Sequence, residues 1–225
     1  MLNQREIILA GGSGGLGAAT AKLLAQEHPR LIVSYHRNAA RAEQLRDIAT
    51  IVPCDLTQAE ERARLLDRAP NLYALVVFTG DPSRVKSADQ FETAARRAQE
   101  VNYLGPIALA REAAARMQAI KQEGAIVLFS TMQAVSLFPG STAYAASKAA
   151  LQHSARILAK ELRAANIRVN SIAPGPIAAG MAEASIASGK YDHFLKDGIV
   201  PRFGRAEDIA RTVRFLLTPD CYITG

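Results

Sequence analysis

The fold of this chain is decided by one stretch near its amino terminus, Ile7-Ile8-Leu9-Ala10-Gly11-Gly12-Ser13-Gly14-Gly15-Leu16-Gly17. The short apolar run at residues 7–10 is typical of a buried strand, and a helical pattern follows at residues 18–26. Glycines between a strand and a helix let the backbone turn tightly and approach a pyrophosphate, while the amino end of the helix supplies amide donors. The stretch therefore predicts a dinucleotide-binding loop.

Two glycine registers fit this loop. Gly12, Gly14 and Gly17 match the pattern G-x-G-x-x-G, whereas Gly11, Gly15 and Gly17 match G-x-x-x-G-x-G. Either pattern alone is a weak signal, but its place between a strand and a helix at the start of an alternating chain makes it strong. A flexible glycine turn that binds nothing is the alternative.

Strand-like and helix-like segments alternate along the rest of the chain. Five more strands are predicted at residues 31–35, 51–54, 72–78, 125–130 and 168–173, and helices at 39–49, 59–68, 87–100, 104–122, 144–165 and 206–217. This alternation predicts an α/β fold, a Rossmann-type doubly wound parallel sheet in a three-layer αβα arrangement with its ligand crevice at the carboxyl ends of the strands. We expect one domain over residues 1–225. Its least regular segment, residues 174–204, is predicted to be a substrate lid.

The composition argues against several classes of protein. Apolar residues make up 49% of the 225, and no apolar run approaches the length of a bilayer crossing. The amino terminus lacks the features of a signal peptide, so we expect a cytoplasmic protein. The net charge of +6 comes from basic residues scattered along helical stretches, which does not indicate a nucleic-acid partner. Cys54 and Cys221 lie far apart, so neither a disulfide nor a metal site is expected, and Cys54 is interpreted as a buried strand residue.

The end of the second predicted strand indicates which cofactor phosphate is bound. It reads Ser34-Tyr35-His36-Arg37-Asn38, and no acidic residue occurs before Glu43. NAD enzymes usually place a carboxylate here against the adenosine ribose, and such a group would repel a 2′-phosphate that Arg37 could instead bind. The segment therefore favours NADP(H) over NAD(H). In the alternative interpretation, His36 and Arg37 are exposed loop residues.

Tyr144-Ala145-Ala146-Ser147-Lys148 is the most informative pentapeptide. A spacing of four places the phenol and the ammonium on one face of a helix. The nearby cation is expected to lower the pKa of Tyr144, which then gives a proton to a carbonyl oxygen while hydride arrives at carbon. A surface pair on a helix is the alternative for this pattern taken alone.

Together these motifs resemble the short-chain dehydrogenase/reductase family, in particular its single-domain bacterial branch, which includes the 3-oxoacyl-carrier-protein reductases. The resemblance runs from Ile7 to Gly225. The further motifs that carry it are Cys54-Asp55-Leu56-Thr57, Val101-Asn102-Tyr103-Leu104-Gly105-Pro106, Val169-Asn170-Ser171-Ile172-Ala173-Pro174-Gly175-Pro176-Ile177, and Arg202-Phe203-Gly204 with Glu207-Asp208-Ile209-Ala210.

The resemblance implies a role for each matching residue. Tyr144 is similar to the family's general acid/base, and Lys148 to the lysine that binds the nicotinamide ribose. Asn102 would hold a water between Lys148 and solvent, and Thr131 stands where the family has its substrate-binding serine. The predicted cofactor-binding residues are Gly11, Ser13, Gly15, Leu16, Gly17, His36, Arg37, Asn38, Asp55, Leu56, Thr79, Gly80, Tyr144, Lys148, Pro174, Gly175 and Ile177.

The chain also departs from the family pattern. The family's Asn-Asn-Ala-Gly is Val77-Phe78-Thr79-Gly80, the threonine often found after the Pro-Gly turn is Ala179, and the usual final strand is not expected after Gly225. These departures leave open an alternative function, a dinucleotide-binding sensor or scaffold with little turnover. A nucleotide-sugar epimerase is disfavoured because the chain has no room for a second domain. The leading expectation is reduction of a small carbonyl compound, or oxidation of an alcohol, by a homodimer formed through the two long helices, with a tetramer as the other possibility.

Overall fold

The computed structural model describes residues 1–83, 85 and 87–225, and a parallel sheet of six strands forms its centre. The order of the strands is β3-β2-β1-β4-β5-β6, with every neighbouring pair parallel. This confirms the predicted doubly wound, Rossmann-type fold. The strands are β1 (Glu6–Ala10), β2 (Arg30–Tyr35), β3 (Thr50–Pro53), β4 (Leu72–Val77), β5 (Gly124–Phe129) and β6 (Ile167–Ile172).

Helices cover both faces of the sheet. None in the described part of the chain is long and apolar enough to cross a bilayer. Three segments discussed below differ from the sequence-based prediction, and the helix expected at residues 87–100 begins only at Phe91, after a 3₁₀ turn at Ala88–Gln90. The helices are α1 (Gly15–Ala25), α2 (Ala39–Glu43), α3 (Ala59–Leu66), α4 (Phe91–Gln99), α5 (Gly105–Ala119), α6 (Thr142–Glu161), α7 (Glu183–Ala187), α8 (Asp192–Lys196) and α9 (Ala206–Leu217).

The differences have physical reasons. The helix expected at residues 39–49 stops at Glu43, because only Ala42 of α2 is buried and little tertiary packing extends it. The helix expected to reach residue 165 ends at Glu161, and a short 3₁₀ turn then leads to Asn166, whose left-handed φ of 54° ends the helical run. The predicted lid is not wholly irregular, since it contains α7 and α8.

The strands bury alternate residues in two cores. On β1, Ile8 and Ala10 face the layer formed by α3, α5 and α6, while Ile7 and Leu9 face the layer formed by α1 and α9. All residues of β1, β4 and β5 are buried. Each fully buried aliphatic side chain contributes about 1.5–3 kcal/mol, so the carboxyl ends of these central strands are held in fixed positions.

The ligand crevice lies where the strand order reverses. β1 pairs with β2 on one side and with β4 on the other, so the loops that follow β1 and β4 diverge to opposite sides. The last hydrogen bond between these strands runs from Phe78 N to Ala10 O at 2.9 Å. The glycine loop begins immediately beyond it on one side, and Thr79 and Gly80 lie immediately beyond it on the other.

Candidate active site

Four glycines of the loop after β1 have no space for a side chain, and on Gly12 a Cβ atom would lie 2.8 Å from both the Cβ and the carbonyl oxygen of Leu9. Gly11 has a φ of +68°, and a Cβ atom there would lie 2.8 Å from the Thr79 side chain. On Gly17 it would lie 2.5 Å from the backbone of the loop itself, and on Gly15 it would lie 2.9 Å from a backbone nitrogen of the segment 174–204. Since atoms cannot approach so closely, each position requires glycine.

Gly14 distinguishes between the two glycine patterns that fit the sequence, because it belongs to only one of them. A Cβ atom on Gly14 would come no closer than 3.7 Å to its nearest neighbour, an ordinary van der Waals distance. The register that contains Gly14 is therefore not sterically required throughout, whereas the register Gly11, Gly15 and Gly17 is. Leu16 packs into the core on the α1 side and Ser13 is buried, so the loop is supported from within.

The adenosine side of the crevice is formed by the ends of β2 and β3. His36, Arg37 and Asn38 are all exposed. The side chain of Asn38 accepts a hydrogen bond from the backbone of α2 at 2.9 Å, which gives it a capping role. His36 Nε2 lies 3.4 Å from an oxygen of Asp55, a contact between two predicted cofactor residues that the sequence did not indicate.

Asp55 is held by its own loop. Its carboxylate accepts hydrogen bonds from the amide of Thr57 at 3.0 Å and from the Thr57 hydroxyl at 2.9 Å. Burial raises the pKa of Asp55, but the bonds from Thr57 and the nearby His36 and Arg37 outweigh burial and lower the pKa below its usual value. The carboxylate is therefore ionised at neutral pH. Leu56, next in the chain, is buried.

The residues present fit a bound dinucleotide. Thr79 Oγ1 is buried and has no hydrogen-bond partner within residues 1–83, 85 and 87–225. Its side chain lies directly against Gly11. Because a buried hydroxyl without a partner is costly, a polar ligand atom beside the glycine loop would satisfy it.

Lys148 is the most deeply buried charged group of the site, with 2% of its surface exposed. It lies on α6, one turn after Tyr144. Its Nζ donates hydrogen bonds to Thr79 O at 2.9 Å and to Phe129 O at 2.8 Å, at the ends of β4 and β5. Burial lowers the pKa of Lys148 to about 7. The ammonium therefore loses its proton near neutral pH, far more readily than an ordinary lysine.

The expectation that the pKa of Tyr144 is lowered was wrong, since the pKa is raised. Burial raises the pKa of the phenol, and a hydrogen bond with the Thr131 hydroxyl lowers it only in part. Lys148 does not lower the pKa as expected, because its ammonium is directed to two backbone carbonyls instead. Tyr144 is consequently protonated at neutral pH.

Thr131, and not Ser130, is the hydroxyl that meets Tyr144. Thr131 is buried after β5, its hydroxyl accepts from Gln133 N at 3.4 Å, and it lies close enough to the phenol to lower the pKa of Tyr144. The hydroxyl of Ser130 is used elsewhere, since it donates to Lys148 O at 3.1 Å and lies 3.4 Å from Gln152 Oε1. The substrate-binding role of Thr131 therefore stays a prediction of the resemblance.

Asn102 lies in a π-helical turn, Glu100–Leu104, that joins α4 to α5. Such turns often occur at functional sites because they push one side chain out of the regular helical pattern. Here the Asn102 side chain is fully buried. Its amide nitrogen donates to Asp81 O at 3.0 Å and to Ser147 Oγ at 3.2 Å, and its oxygen accepts from Asp81 N at 2.7 Å. Neither Asp81 nor Ser147 was predicted as a site residue.

Val77 and Phe78, which stand where the family has two asparagines, make apolar contacts. Val77 is buried in the sheet, and Phe78 stacks on Phe129 with ring centroids 4.6 Å apart. Phe129 is also the residue whose carbonyl accepts from Lys148. The departure therefore exchanges hydrogen bonds for aromatic packing beside the lysine.

The segment after β6 closes back onto the site. Pro174 O accepts from the amide of Met132 at 3.0 Å, and the sulfur of Met132 packs near Gly175. Ile177 pairs with Gly204 in an isolated bridge, which draws the two ends of the predicted lid together. Pro174 and Gly175 thus lie beside the loop that carries Thr131, whereas Ile177 contacts Gly204.

The donor set of the site consists of hydroxyl, ammonium and amide groups. In the part of the chain that the structure describes, no cluster of His, Cys, Asp and Glu has the arrangement of a metal site. Cys54 is buried just past the end of β3, and burial raises the pKa of its thiol to about 12. Cys54 is therefore an unreactive thiol.

One contact of the glycine loop also escaped the sequence analysis. The amide of Gly11 donates to the Ser34 hydroxyl, which is buried, at 3.1 Å. Serine at the end of a strand is too common for its sequence position to reveal such a bond.

Comparison with known proteins identifies the family. A family model described as enoyl-(acyl carrier protein) reductase matches residues 10–225. The chain is 30% identical over 233 residues to the 3-oxoacyl-(acyl-carrier-protein) reductase FabG of Rickettsia felis, covering 100% of this chain and 94% of that protein. The chain belongs to the short-chain dehydrogenase/reductase family. It is also 30% identical over 236 residues to NADPH-dependent aldehyde reductase 2, chloroplastic, of Arabidopsis thaliana, covering 94% of this chain and 86% of that protein.

Solved structures of short-chain dehydrogenases/reductases agree with this assignment. A 7α-hydroxysteroid dehydrogenase complexed with NADH and 7-oxo glycochenodeoxycholic acid is 30% identical and superposes with a TM-score of 0.91, covering 100% of this chain and 91% of that one. A short-chain type dehydrogenase/reductase from Mycobacterium ulcerans is 25% identical, with a TM-score of 0.90 and coverage of 100% and 87%. The predicted resemblance is confirmed, and the chain is an NAD(P)-dependent oxidoreductase.

Proposed function

We propose that this chain is an NADP(H)-dependent oxidoreductase that reduces a carbonyl to an alcohol, or catalyses the reverse, with Tyr144 as general acid/base. The observation that carries the proposal is the buried Lys148 one helical turn after Tyr144, whose phenol is close enough to Thr131 for that residue to lower its pKa. Lys148 reaches from α6 to the carbonyls of Thr79 and Phe129, past the carboxyl ends of β4 and β5. The bound dinucleotide would supply or accept the hydride.

The protonation states support reduction at neutral pH. The raised pKa of Tyr144 keeps its phenol protonated, which is the form that gives a proton to a carbonyl oxygen. We propose that the Thr131 hydroxyl, near the same phenol, donates a second hydrogen bond to that oxygen.

Lys148 would serve the cofactor. Its ammonium has three N–H groups, two of which bond backbone carbonyls, so the third is available for a ribose hydroxyl. We propose that a water near Asn102 connects this lysine to solvent, so that a proton lost from Tyr144 is replaced.

The preference for NADP(H) is supported by the residues at the end of β2. Arg37 is exposed and no carboxylate stands beside it on the strand, so the guanidinium can bind a 2′-phosphate. The relatives differ in this respect, since one is named NADPH-dependent and another was solved with NADH. We also propose a cytoplasmic location, one domain over residues 1–225 and a small-molecule substrate, with neither a nucleic acid nor a membrane as partner.

Calorimetric titration tests the cofactor preference. We expect wild-type protein to bind NADPH more tightly than NADH, and Arg37→Asp to reverse the order. Arg68→Asp makes the same change of charge at an exposed position after α3 and should keep the wild-type preference. Equal or tighter binding of NADH by the wild type would contradict the proposal.

A substrate screen tests the chemistry. Ketones, quinones, 3-oxoacyl thioesters and enoyl thioesters are each mixed with enzyme and NADPH, and the absorbance of the nicotinamide is followed. We expect oxidation of NADPH with at least one carbonyl compound. Activity with enoyl thioesters alone would instead indicate reduction of a carbon–carbon double bond, and binding without turnover on any compound would favour the sensor alternative.

A further inference from the structure

The loop after β4 contains Asp81, a carboxylate outside the proposed catalytic and cofactor-binding residues. Its side chain is 20% exposed and accepts a hydrogen bond from Arg97 Nε at 2.6 Å. It also accepts from the amide of Ser83 at 2.8 Å. Burial raises the pKa of Asp81, but these bonds outweigh burial and lower it below the usual value, so the carboxylate is ionised at neutral pH. Asp81 therefore ties the loop to helix α4 by a charge-assisted bond.

The backbone of Asp81 is fixed as firmly as its side chain. Both its N–H and its C=O bond the side-chain amide of Asn102, at 2.7 and 3.0 Å. Arg97 and Asn102 lie five positions apart on consecutive helical segments, so one run of helix holds Asp81 at two points. Asn102 in turn bonds Ser147, the neighbour of Lys148 on α6.

The same loop accepts one of the two hydrogen bonds that the Lys148 ammonium makes within the described residues. Thr79 O, which accepts from Lys148 Nζ at 2.9 Å, lies two residues before Asp81. Gly80 stands between them, and a Cβ atom there would lie 3.7 Å from both Lys148 Nζ and Asn102 Oδ1. The position of Asp81 thus determines where the Thr79 carbonyl can meet the ammonium.

Among the described residues of this loop, few other polar groups hold it in place. Val77 and Phe78, which replace the family's two asparagines, contribute apolar side chains that cannot hydrogen bond. On the strand side, the loop is held by the bond from Phe78 N to Ala10 O. On the other side it is held through Asp81.

We propose that Asp81, held by Arg97, is a positioning residue that keeps the Thr79 carbonyl on the ammonium of Lys148 and bulk solvent away from that ammonium. The inference rests on the proposed function, because it assigns Lys148 a role in the reaction. Asp81 touches neither the reacting atoms nor the glycine loop, and it acts through Thr79 and Asn102.

The first test measures the titration of Lys148 in the free protein. Lysine labelled with carbon-13 at its terminal methylene is followed by NMR against pH, and Lys148→Arg identifies the signal. Burial alone lowers the pKa of Lys148, and Tyr144 on the same helix titrates well above this range. If the loop loosens and bulk solvent reaches the ammonium, the pKa rises from about 7 by about 1 or more towards its ordinary value.

We expect this rise in Asp81→Asn and in Arg97→Gln. The matched control is Arg96→Gln on the same helix, which breaks an exposed pair with Glu92 at 2.6 Å and should leave the pKa unchanged. An unchanged pKa in both test variants overturns the proposal. A fall overturns it too, because it would show that Asp81 acts only through its negative charge. If Asp81→Asn does not fold, Arg97→Gln decides the question, since Arg97 is half exposed.

The second test is kinetic and uses the substrate found in the screen. Misplacement of the ammonium should lower kcat about tenfold in Asp81→Asn and Arg97→Gln, with KM for NADPH within about twofold of wild type. The double variant should be no worse than either single one, because both changes break one contact. Arg97→Lys, which keeps the charge, should recover most of the loss. Strictly additive effects, or a change confined to KM, would overturn the proposal.

The two proposals can fail separately. The NMR titration needs neither cofactor nor substrate, so it decides the positioning of Lys148 even if no carbonyl compound is reduced. A wild type without reductase activity overturns the proposed function alone.

Discussion

Replacing Lys148 by methionine should remove a specific pH dependence of stability. The lysine is fully buried, and its pKa is lowered from the ordinary 10.5 to about 7. Between these two values the unfolded chain binds a proton that the folded protein does not. The free energy of unfolding therefore rises with pH across this range, and the cost of burying the charged lysine is greatest below about pH 7.

The size of the effect follows from the two pKa values. For one group with these values, the cost to the folded state is about 4 kcal/mol at pH 7 and about 2 kcal/mol at pH 9. Wild type should thus gain about 2 kcal/mol between pH 7 and pH 9 that Lys148→Met does not gain. Methionine also leaves the carbonyls of Thr79 and Phe129 without their donor, but that loss does not vary with pH.

Urea unfolding at pH 7, 8 and 9 measures this difference by linear extrapolation. Lys160→Met is the control, because Lys160 is exposed on the same helix and should follow the wild type at every pH. If wild type and Lys148→Met gain the same stability between pH 7 and pH 9, the reasoning about the buried ammonium is refuted.

Three further predictions concern the glycine loop, the Thr131 hydroxyl and the oligomeric state. Gly15→Ala should weaken NADPH binding about tenfold or more in a calorimetric titration, because its Cβ atom would lie 2.9 Å from a backbone nitrogen. The control Gly14→Ala has 3.7 Å of space and should bind NADPH normally. Weaker binding by Gly14→Ala alone would favour the register Gly12, Gly14 and Gly17. Thr131→Ser should keep turnover, whereas Thr131→Val should lose up to about 3 kcal/mol of transition-state stabilisation; an active valine variant would show that no such donor is used. Light scattering at micromolar concentration should find a homodimer through α5 and α6 that buries at least about 1,000 Å² in total, and a monomer would contradict this interface.

The fold could be predicted because its signals are local and repeated. Each of the buried strands β1, β4 and β5 is an apolar run, and the loop after β1 needs glycine at positions where no other residue fits. The boundaries of α2 and α6 could not be predicted, because packing and a left-handed Asn166 end them rather than any proline or glycine.

The sequence predicted those residues of the candidate site whose type and spacing alone indicate a chemical role. Tyr144 and Lys148 were found by their spacing, but the direction of the Tyr144 pKa was wrong because spacing does not show where the ammonium points. Asp81 was missed for a similar reason. Its partners, Arg97 and Asn102, are 16 and 21 residues away in the sequence, and only the π-helical turn brings both to the same loop.

The most direct test of the central claim compares wild type with Tyr144→Phe, using the carbonyl substrate from the screen. The variant removes only the phenolic hydroxyl, so NADPH should bind with nearly unchanged affinity in a calorimetric titration. Turnover should fall by about 100- to 10,000-fold, the usual contribution of a general acid. Turnover within a few-fold of wild type would contradict the account, because it would show that another group gives the proton to the carbonyl oxygen.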